Sequence, residues 1–94
     1  MSVIKTAETK LNTNFYVYIL ECSDNTFYIG KTVDLVKRIK LHNGVGAGGA
    51  KYTSGRRPVF LVYYEIFKSQ TKALQREFRL KKLSRIEKKK LISL

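Results

Sequence analysis

Apolar residues form three short runs that predict strands. Two of them, Phe15–Glu21 (FYVYILE) and Phe27–Lys31 (FYIGK), are aromatic and β-branched and are separated by turn-forming residues 23–25. Together they predict a β-hairpin. The run Val59–Phe67 (VFLVYYEIF) is apolar at successive positions. It predicts a third strand that is covered on both faces.

The segment after the hairpin predicts a helix and then a loop. We expect Thr32 to cap a helix over residues 33–42, which Asn43 and Gly44 end. Residues 43–57 carry five glycines, which predicts a long mobile loop. The inward positions of the helix are predicted to be Leu35, Val36 and Ile39.

The C-terminal third predicts two helices, and the first contains an unusual acid. Ser69 is expected to cap a helix that runs to about Leu83, and Ser84 with Glu87 forms a capping box that starts another helix. Glu77 falls within the apolar stripe of the first of these helices. Its carboxylate therefore needs a cation, which can be Lys81 one turn later, a distant arginine or a metal ion. An ordinary pair with Lys81 is the alternative to a metal site. That predicted stripe consists of Ala73, Leu74, Phe78 and Leu80.

The order of elements, β-β-α-β-α-α, predicts an α+β fold with a three-stranded, largely antiparallel sheet flanked by helices. The chain has 94 residues, which is enough for one domain. We expect a flexible polar leader over residues 1–14 and a single domain over residues 15–94.

Charge favours a polyanionic partner. Nineteen Lys and Arg against seven Asp and Glu give a net charge of +12, so nucleic acid is the first partner to consider. The single cysteine, Cys22, excludes an intramolecular disulfide and a multi-cysteine zinc site. No apolar run has the length of a membrane span or of a signal peptide core. We therefore expect a cytoplasmic protein without a membrane partner.

Two groups of polar side chains are candidates for chemistry. An odd hairpin loop places Tyr18 diagonally opposite Tyr28 on one face, whereas an even loop makes both of them ordinary core aromatics on opposite faces. Arg38 and His42 are spaced i, i+4 on the first helix. A solvated basic face and a helix-end histidine favoured by the dipole are the alternatives for that pair. Lys31 ends the second strand, just before that helix.

These positions resemble the GIY-YIG endonuclease family, above all its small stand-alone members related to the UvrC and Slx1 nuclease domains. The paired motif reads Tyr16-Val17-Tyr18 and Tyr28-Ile29-Gly30, and the resemblance extends from about Phe15 to Leu83. Two departures stand out: Tyr16 replaces the first glycine of the motif, and no Asn follows Asn43, although many relatives carry one after the acid.

The resemblance implies a divalent-metal-dependent DNA endonuclease that is structure-selective or weakly sequence-specific, in DNA repair or recombination. Tyr18 is then the general base, helped to ionise by Lys31 and His42, while Arg38 holds the scissile phosphate and Tyr28 orients water or phosphate. Glu77 is then the ligand of one Mg²⁺ or Mn²⁺ ion. Relatives often take specificity from a further domain or a protein partner.

Basic and aromatic residues outside that set predict the DNA-binding surface. Residues 68–90 contain ten Lys or Arg against two Glu, a local net charge of +8, and the glycine-rich loop adds charge and a stacking ring. The main rival is a non-catalytic nucleic-acid-binding module on the same scaffold. A protein-interaction adaptor needs a large exposed apolar patch, which the sequence does not reveal. The predicted DNA-binding residues are Lys51, Tyr52, Arg56, Arg57, Arg76, Arg79, Lys81 and Lys82.

Overall fold

A computed structural model describes residues 13–46 and 48–94 of the chain. Its three strands form one antiparallel sheet in the order β2-β1-β3, with helices packed on it, so the predicted α+β fold is confirmed. Residues 1–12 of the predicted leader lie outside the described residues. The elements are β1 (Phe15–Glu21), β2 (Phe27–Thr32), α1 (Leu35–His42), α2 (Lys51–Ser54), β3 (Phe60–Phe67), α3 (Gln70–Lys81) and α4 (Arg85–Ile92).

The β1–β2 hairpin has the odd loop. The Cys22 amide donates to the Thr26 carbonyl at 2.9 Å, and Asn25 adopts a φ of 66° between them. The side chain of Asp24 accepts from the Thr26 amide at 3.1 Å, which fixes the turn. As a result Leu20 pairs with Tyr28 and Tyr18 pairs with Gly30, so the two tyrosines share one face of the sheet.

The central strand β1 supplies core residues to both faces. Val17 and Ile19 pack with Ala73 and Leu80 of α3 on one side. On the other side Tyr18 and Leu20 pack near α1. All four β1 side chains are at most 1% exposed. Burial of each aliphatic side chain stabilises the fold by about 1.5–3 kcal/mol. The sheet therefore carries α3 on one face and α1 on the opposite face.

Helix α1 starts later than predicted and presents fewer apolar residues to the core. Its N-cap is Asp34, whose carboxylate accepts from the Lys37 amide at 3.1 Å, rather than Thr32. Thr32 still belongs to β2, and its hydroxyl accepts from the Asp34 amide at 3.2 Å. Leu35 and Ile39 pack against the core as predicted. Val36, predicted to point inward, is 67% exposed, because it lies about 100° around the helix from Leu35, whereas Ile39 lies only about 40° from Leu35.

The prediction that β3 is covered on both faces was wrong. β3 is an edge strand that begins at Phe60, and several of its apolar side chains are exposed because α1 does not extend over them. The resulting groove measures about 510 Å³. It supplies the exposed apolar patch that the sequence did not reveal. Its lining residues are Tyr16, Val33, Asp34, Leu35, Val36, Leu61, Tyr64 and Ile66.

The segment over residues 43–57, predicted as a long mobile loop, is held to the core over its described part. The Asn43 side chain accepts from the Val59 amide at 2.7 Å and donates to the Val59 carbonyl at 3.0 Å. Thr53, in the single helical turn α2, is fully buried. Glycine is needed at positions 44, 46 and 48, where φ lies between 89° and 102°.

The two C-terminal helices have the predicted caps but a different apolar stripe. Ser69 caps α3, which ends at Lys81 rather than Leu83, and Ser84 with Glu87 forms the capping box of α4. In α3 only Ala73 and Leu80 of the predicted stripe are buried, while Leu74 and Phe78 are 56% and 60% exposed. At about 100° per residue, Glu77 lies between the buried line and the exposed apolar line. None of the helices formed by residues 13–46 and 48–94 has the length and hydropathy of a membrane-spanning segment.

Candidate active site

Two phenols form the floor of the candidate site, on the face of the sheet that packs near α1. The ring centroids of Tyr18 and Tyr28 lie 6.4 Å apart, and Tyr18 is 1% exposed. Gly30 faces Tyr18 across the hairpin, and a Cβ atom at this position would lie 2.5 Å from the phenol Cζ. The glycine is therefore required because the Tyr18 ring lies directly over the backbone of β2.

His42, at the end of α1, connects this floor to the segment that carries α2. Its Nε2 lies 2.8 Å from the Tyr18 hydroxyl, and its Nδ1 lies 2.8 Å from the Thr53 hydroxyl. The ring is fully buried, and its centroid lies 4.9 Å from that of Tyr28.

The hydrogen-bond network assigns the tautomer of His42. The Thr53 hydroxyl donates its single hydrogen to the Ala50 carbonyl at 3.0 Å, so it accepts from His42 Nδ1–H. Nε2 then carries a lone pair and accepts from the Tyr18 hydroxyl. The sequence analysis missed Thr53, because a threonine in a glycine-rich segment carries no sign of a contact eleven residues away.

Protonation states follow from burial. Burial, together with the charges of Arg38 and Arg57, lowers the pKa of His42 to about 4, so the imidazole is neutral at pH 7. Burial raises the pKa of Tyr18 to about 12; Arg38 acts against this rise, and Tyr28 and Glu77 add to it. The prediction that a cationic His42 helps Tyr18 to ionise was therefore wrong. His42 is instead placed as an acceptor for the phenol proton.

Two guanidinium groups border the histidine. Nη1 of Arg38, one turn before His42, donates to the Gly48 carbonyl at 2.8 Å. Nε of Arg57 donates to the His42 carbonyl at 2.7 Å. Both charges act on the imidazole, so the site holds positive potential around a neutral ring.

Glu77 approaches from α3, on the other face of the sheet. Its side chain is 15% exposed, and its Oε2 lies 3.3 Å from Nζ of Lys81, which is the ordinary i, i+4 pair considered as the alternative to a metal site. Its negative charge is the smallest of the causes that raise the pKa of Tyr18. Over residues 13–46 and 48–94, no three His, Cys, Asp or Glu side chains group as a metal site would require. A single carboxylate fits a Mg²⁺-type ion that keeps waters and takes phosphate oxygens as its other ligands.

Lys31 is not a neighbour of the Tyr18 phenol in the sheet. It pairs with Val17, and successive side chains alternate between faces, so Lys31 points to the side of α3. In this register the Lys31 ammonium is on the opposite face from the Tyr18 hydroxyl, so the register does not support the expectation that Lys31 helps Tyr18 to ionise. Arg38 is the cation that acts on the phenol.

Predicted DNA-binding residues of the glycine-rich segment continue the aromatic floor outward. The Tyr52 ring lies 5.8 Å from that of Tyr28, and the Arg56 guanidinium lies 4.0 Å above the Tyr52 ring. Asp24 fixes Arg56 through an ion pair of 3.0 Å. Lys51 is exposed beside them. This part of the predicted surface is contiguous with the two phenols.

The predicted DNA-binding residues of α3 divide between its two flanks. Arg76 forms a two-pronged ion pair with Glu65 of β3, with contacts of 2.9 and 3.0 Å. Arg79 lies on the same flank, about 60° from Arg76 and away from Glu77. Lys81 contacts Glu77, and Nζ of Lys82 lies 4.2 Å above the Phe78 ring. Lys81 therefore lies next to Glu77, whereas Lys82 lies at the end of α3 over the exposed Phe78 ring.

Comparison with known proteins identifies a matching family profile and several similar proteins. A family profile described as the GIY-YIG catalytic domain matches residues 14–90. A UPF0213 protein of Syntrophus aciditrophicus is 56% identical over 82% of this chain and 87% of its own, and one of Clostridium perfringens is 54% identical over 83% and 82%.

Two solution NMR structures are similar to this fold. The UPF0213 protein of Bacillus halodurans matches with a TM-score of 0.55 and 48% identity, and a protein of E. faecalis matches with 0.58 and 33%. Each match covers 85% of this chain and 83% of the other.

Proposed function

This chain belongs to the GIY-YIG nuclease family, and from that premise we propose that it is a divalent-metal-dependent DNA endonuclease. It hydrolyses phosphodiester bonds with structure selectivity or weak sequence specificity, in DNA repair or recombination. The observation that supports this most strongly is the hydrogen bond between Tyr18 and a neutral His42, with Tyr28 and Arg38 beside it and the charge of Glu77 acting on the same phenol. A cytoplasmic location stays a prediction.

The proposed base is a relay rather than a preformed phenolate. With a pKa of about 12, ionising Tyr18 at pH 7 would cost about 7 kcal/mol. Tyr18 instead accepts a proton from the attacking water while it passes its own proton to Nε2 of His42. A bound phosphodiester brings negative charge close to Arg38 and Arg57, which offsets the two charges that lower the pKa of His42.

The other residues bind and orient the phosphate. Nη1 of Arg38 donates to the Gly48 carbonyl, and the other N–H groups of the guanidinium can donate to phosphoryl oxygens. The Tyr28 hydroxyl orients the water or the phosphate. Glu77 would hold the divalent ion, Mg²⁺ or Mn²⁺, which when bound supplies positive charge for the phosphoryl and leaving oxygens.

The proposed DNA path follows the positive charge of the site. Lys51, Tyr52, Arg56 and Arg57 lie on the α2 side, and Lys81 and Lys82 lie on α3. Arg76 and Arg79, on the opposite flank of α3, are proposed to contribute only to the long-range attraction of DNA. Binding should weaken steeply with salt, because each phosphate contact releases counterions.

Incubation with nicked, flapped, branched and plain duplex DNA tests the proposal, with Mg²⁺ or Mn²⁺ added or chelated. We expect metal-dependent cleavage that disappears in the double variant Arg38→Ala, Glu77→Ala. Arg79→Ala removes one positive charge from the far flank of α3 and is the matched control, which should keep most activity. Cleavage by the double variant at the wild-type rate would show that the assignment is wrong.

The pairing of Glu77 with Lys81 favours one alternative, a non-catalytic nucleic-acid-binding module on the same scaffold. This alternative predicts salt-sensitive DNA or RNA binding without cleavage in either metal. It also predicts that Tyr18→Phe leaves binding unchanged, since no proton has to move.

A further inference from the structure

A groove lies on α3 beside Glu77. It measures about 440 Å³ and is lined by Leu74, Gln75, Glu77, Phe78 and Lys81. Leu74, Glu77, Phe78 and Lys81 follow the i, i+3, i+4 and i+7 spacing of one helix face, and Gln75 lies at its border. Leu74 and Phe78 are more than half exposed, so an apolar strip runs directly alongside the carboxylate proposed to bind metal.

The charges around this strip restrict what can occupy it. Lys82 places Nζ 4.2 Å above one face of the Phe78 ring, and Lys81 borders the groove at Glu77. Residues 68–90 carry a net charge of +8 and the whole chain +12. A second copy or a basic partner would be repelled. A flat apolar group joined to negative charge is complementary to the groove, and a nucleobase with its phosphate has this chemistry.

We propose that the groove is a subsite for an unpaired nucleobase of the DNA substrate, which stacks on Phe78 and packs against Leu74. The inference rests on the proposed nuclease function and narrows its substrate. In an intact duplex the base would first have to leave its stack, which costs free energy. A base at a flap, a nick end or a branch is already unpaired. The groove therefore selects DNA that has an unpaired base next to the scissile phosphate.

A fluorescence titration without divalent metal separates stacking from cleavage. The probe is a short single-stranded oligonucleotide with one aminopurine, a fluorescent base that stacking on an aromatic ring quenches. Phe78→Ala and Phe78→Leu should both abolish the quenching and raise Kd about 5- to 150-fold, the range for loss of one base–aromatic stack. Phe78→Trp should retain the quenching and the wild-type Kd. Phe60→Ala is the matched control, because Phe60 is 61% exposed on β3.

The outcomes of this titration test the subsite independently of the nuclease function. Equal Kd and equal quenching for Phe78→Ala and wild type overturn the subsite, as does an equal loss in Phe60→Ala. Phe78→Ala that changes the oligomeric state on size exclusion without changing DNA binding also overturns it. If wild type cleaves no DNA but quenching depends on the Phe78 ring, the subsite stands and the nuclease proposal fails. If cleavage depends on Glu77 but Phe78→Ala binds the oligonucleotide as tightly as wild type does, the nuclease proposal stands and the subsite fails.

Discussion

Replacing Thr53 with valine removes one buried hydroxyl and nearly keeps the side-chain volume. In the wild type this hydroxyl accepts from His42 Nδ1–H at 2.8 Å and donates to the Ala50 carbonyl at 3.0 Å. In Thr53→Val the imidazole has two options. It either keeps its proton on Nδ1 without a partner, or it moves the proton to Nε2 and loses the lone pair that faces Tyr18.

The structure sets the size of the effect. A buried N–H without a partner costs about 1–3 kcal/mol, so the free energy of unfolding should fall by no more than about this amount. If the productive tautomer must still form for reaction, the same energy lowers kcat about 5- to 150-fold. Thr53→Ser keeps the hydroxyl and should restore the tautomer and most of the activity.

His42 is the only histidine of the chain, so ring-nitrogen NMR observes a single imidazole. The wild type should show the Nδ1–H tautomer, and Thr53→Val should shift it toward Nε2–H, with urea unfolding and kcat measured in parallel. An Nε2–H ring in the wild type, or an unchanged ring and unchanged kcat in Thr53→Val, would refute the relay.

Three further predictions concern stability, each measured by urea unfolding. Gly30→Ala should lower the free energy of unfolding by about 1–3 kcal/mol, because the new methyl group displaces the Tyr18 ring. The pKa of His42 is about 4 in the folded chain against 6.5 ordinarily, so the unfolded chain binds the proton first as pH falls. Stability should therefore drop by up to about 3 kcal/mol between pH 7 and 4, and His42→Gln should lack this component. Arg76→Met should cost about 1–2 kcal/mol by removing the counter-charge of the half-buried Glu65, which keeps the hydrogen bond from the Tyr63 hydroxyl, whereas exposed Lys72→Met should change stability by less than about 0.5 kcal/mol.

Features that depend on neighbouring residues were predictable from the sequence. The capping box at Ser84 was predictable because both of its hydrogen bonds join residues three apart. The sequence left open whether Tyr18 and Tyr28 share a face, because this depends on the parity of a short loop, which the structure shows to be odd.

Features that depend on the position of distant elements were not predictable. An unbroken apolar run does not distinguish a central strand from an edge strand, so β3 was expected to be covered although β1 takes the centre. The same ambiguity affected Leu74 and Phe78, whose apolar side chains point to solvent rather than to the core. Thr53 was missed because its role exists only once α2 folds against the end of α1.

The ion pair of Glu77 with Lys81 is compatible with a hydrolytic site. An acid neutralised by its own helix would argue against hydrolysis if the two phenols also pointed to opposite faces, but they share one face. Lys81 is 56% exposed, and such a pair contributes about 0–1 kcal/mol. A DNA phosphate near the site offers the Lys81 ammonium an alternative anion, which leaves the Glu77 carboxylate available to a divalent ion. The pair therefore describes the chain without DNA.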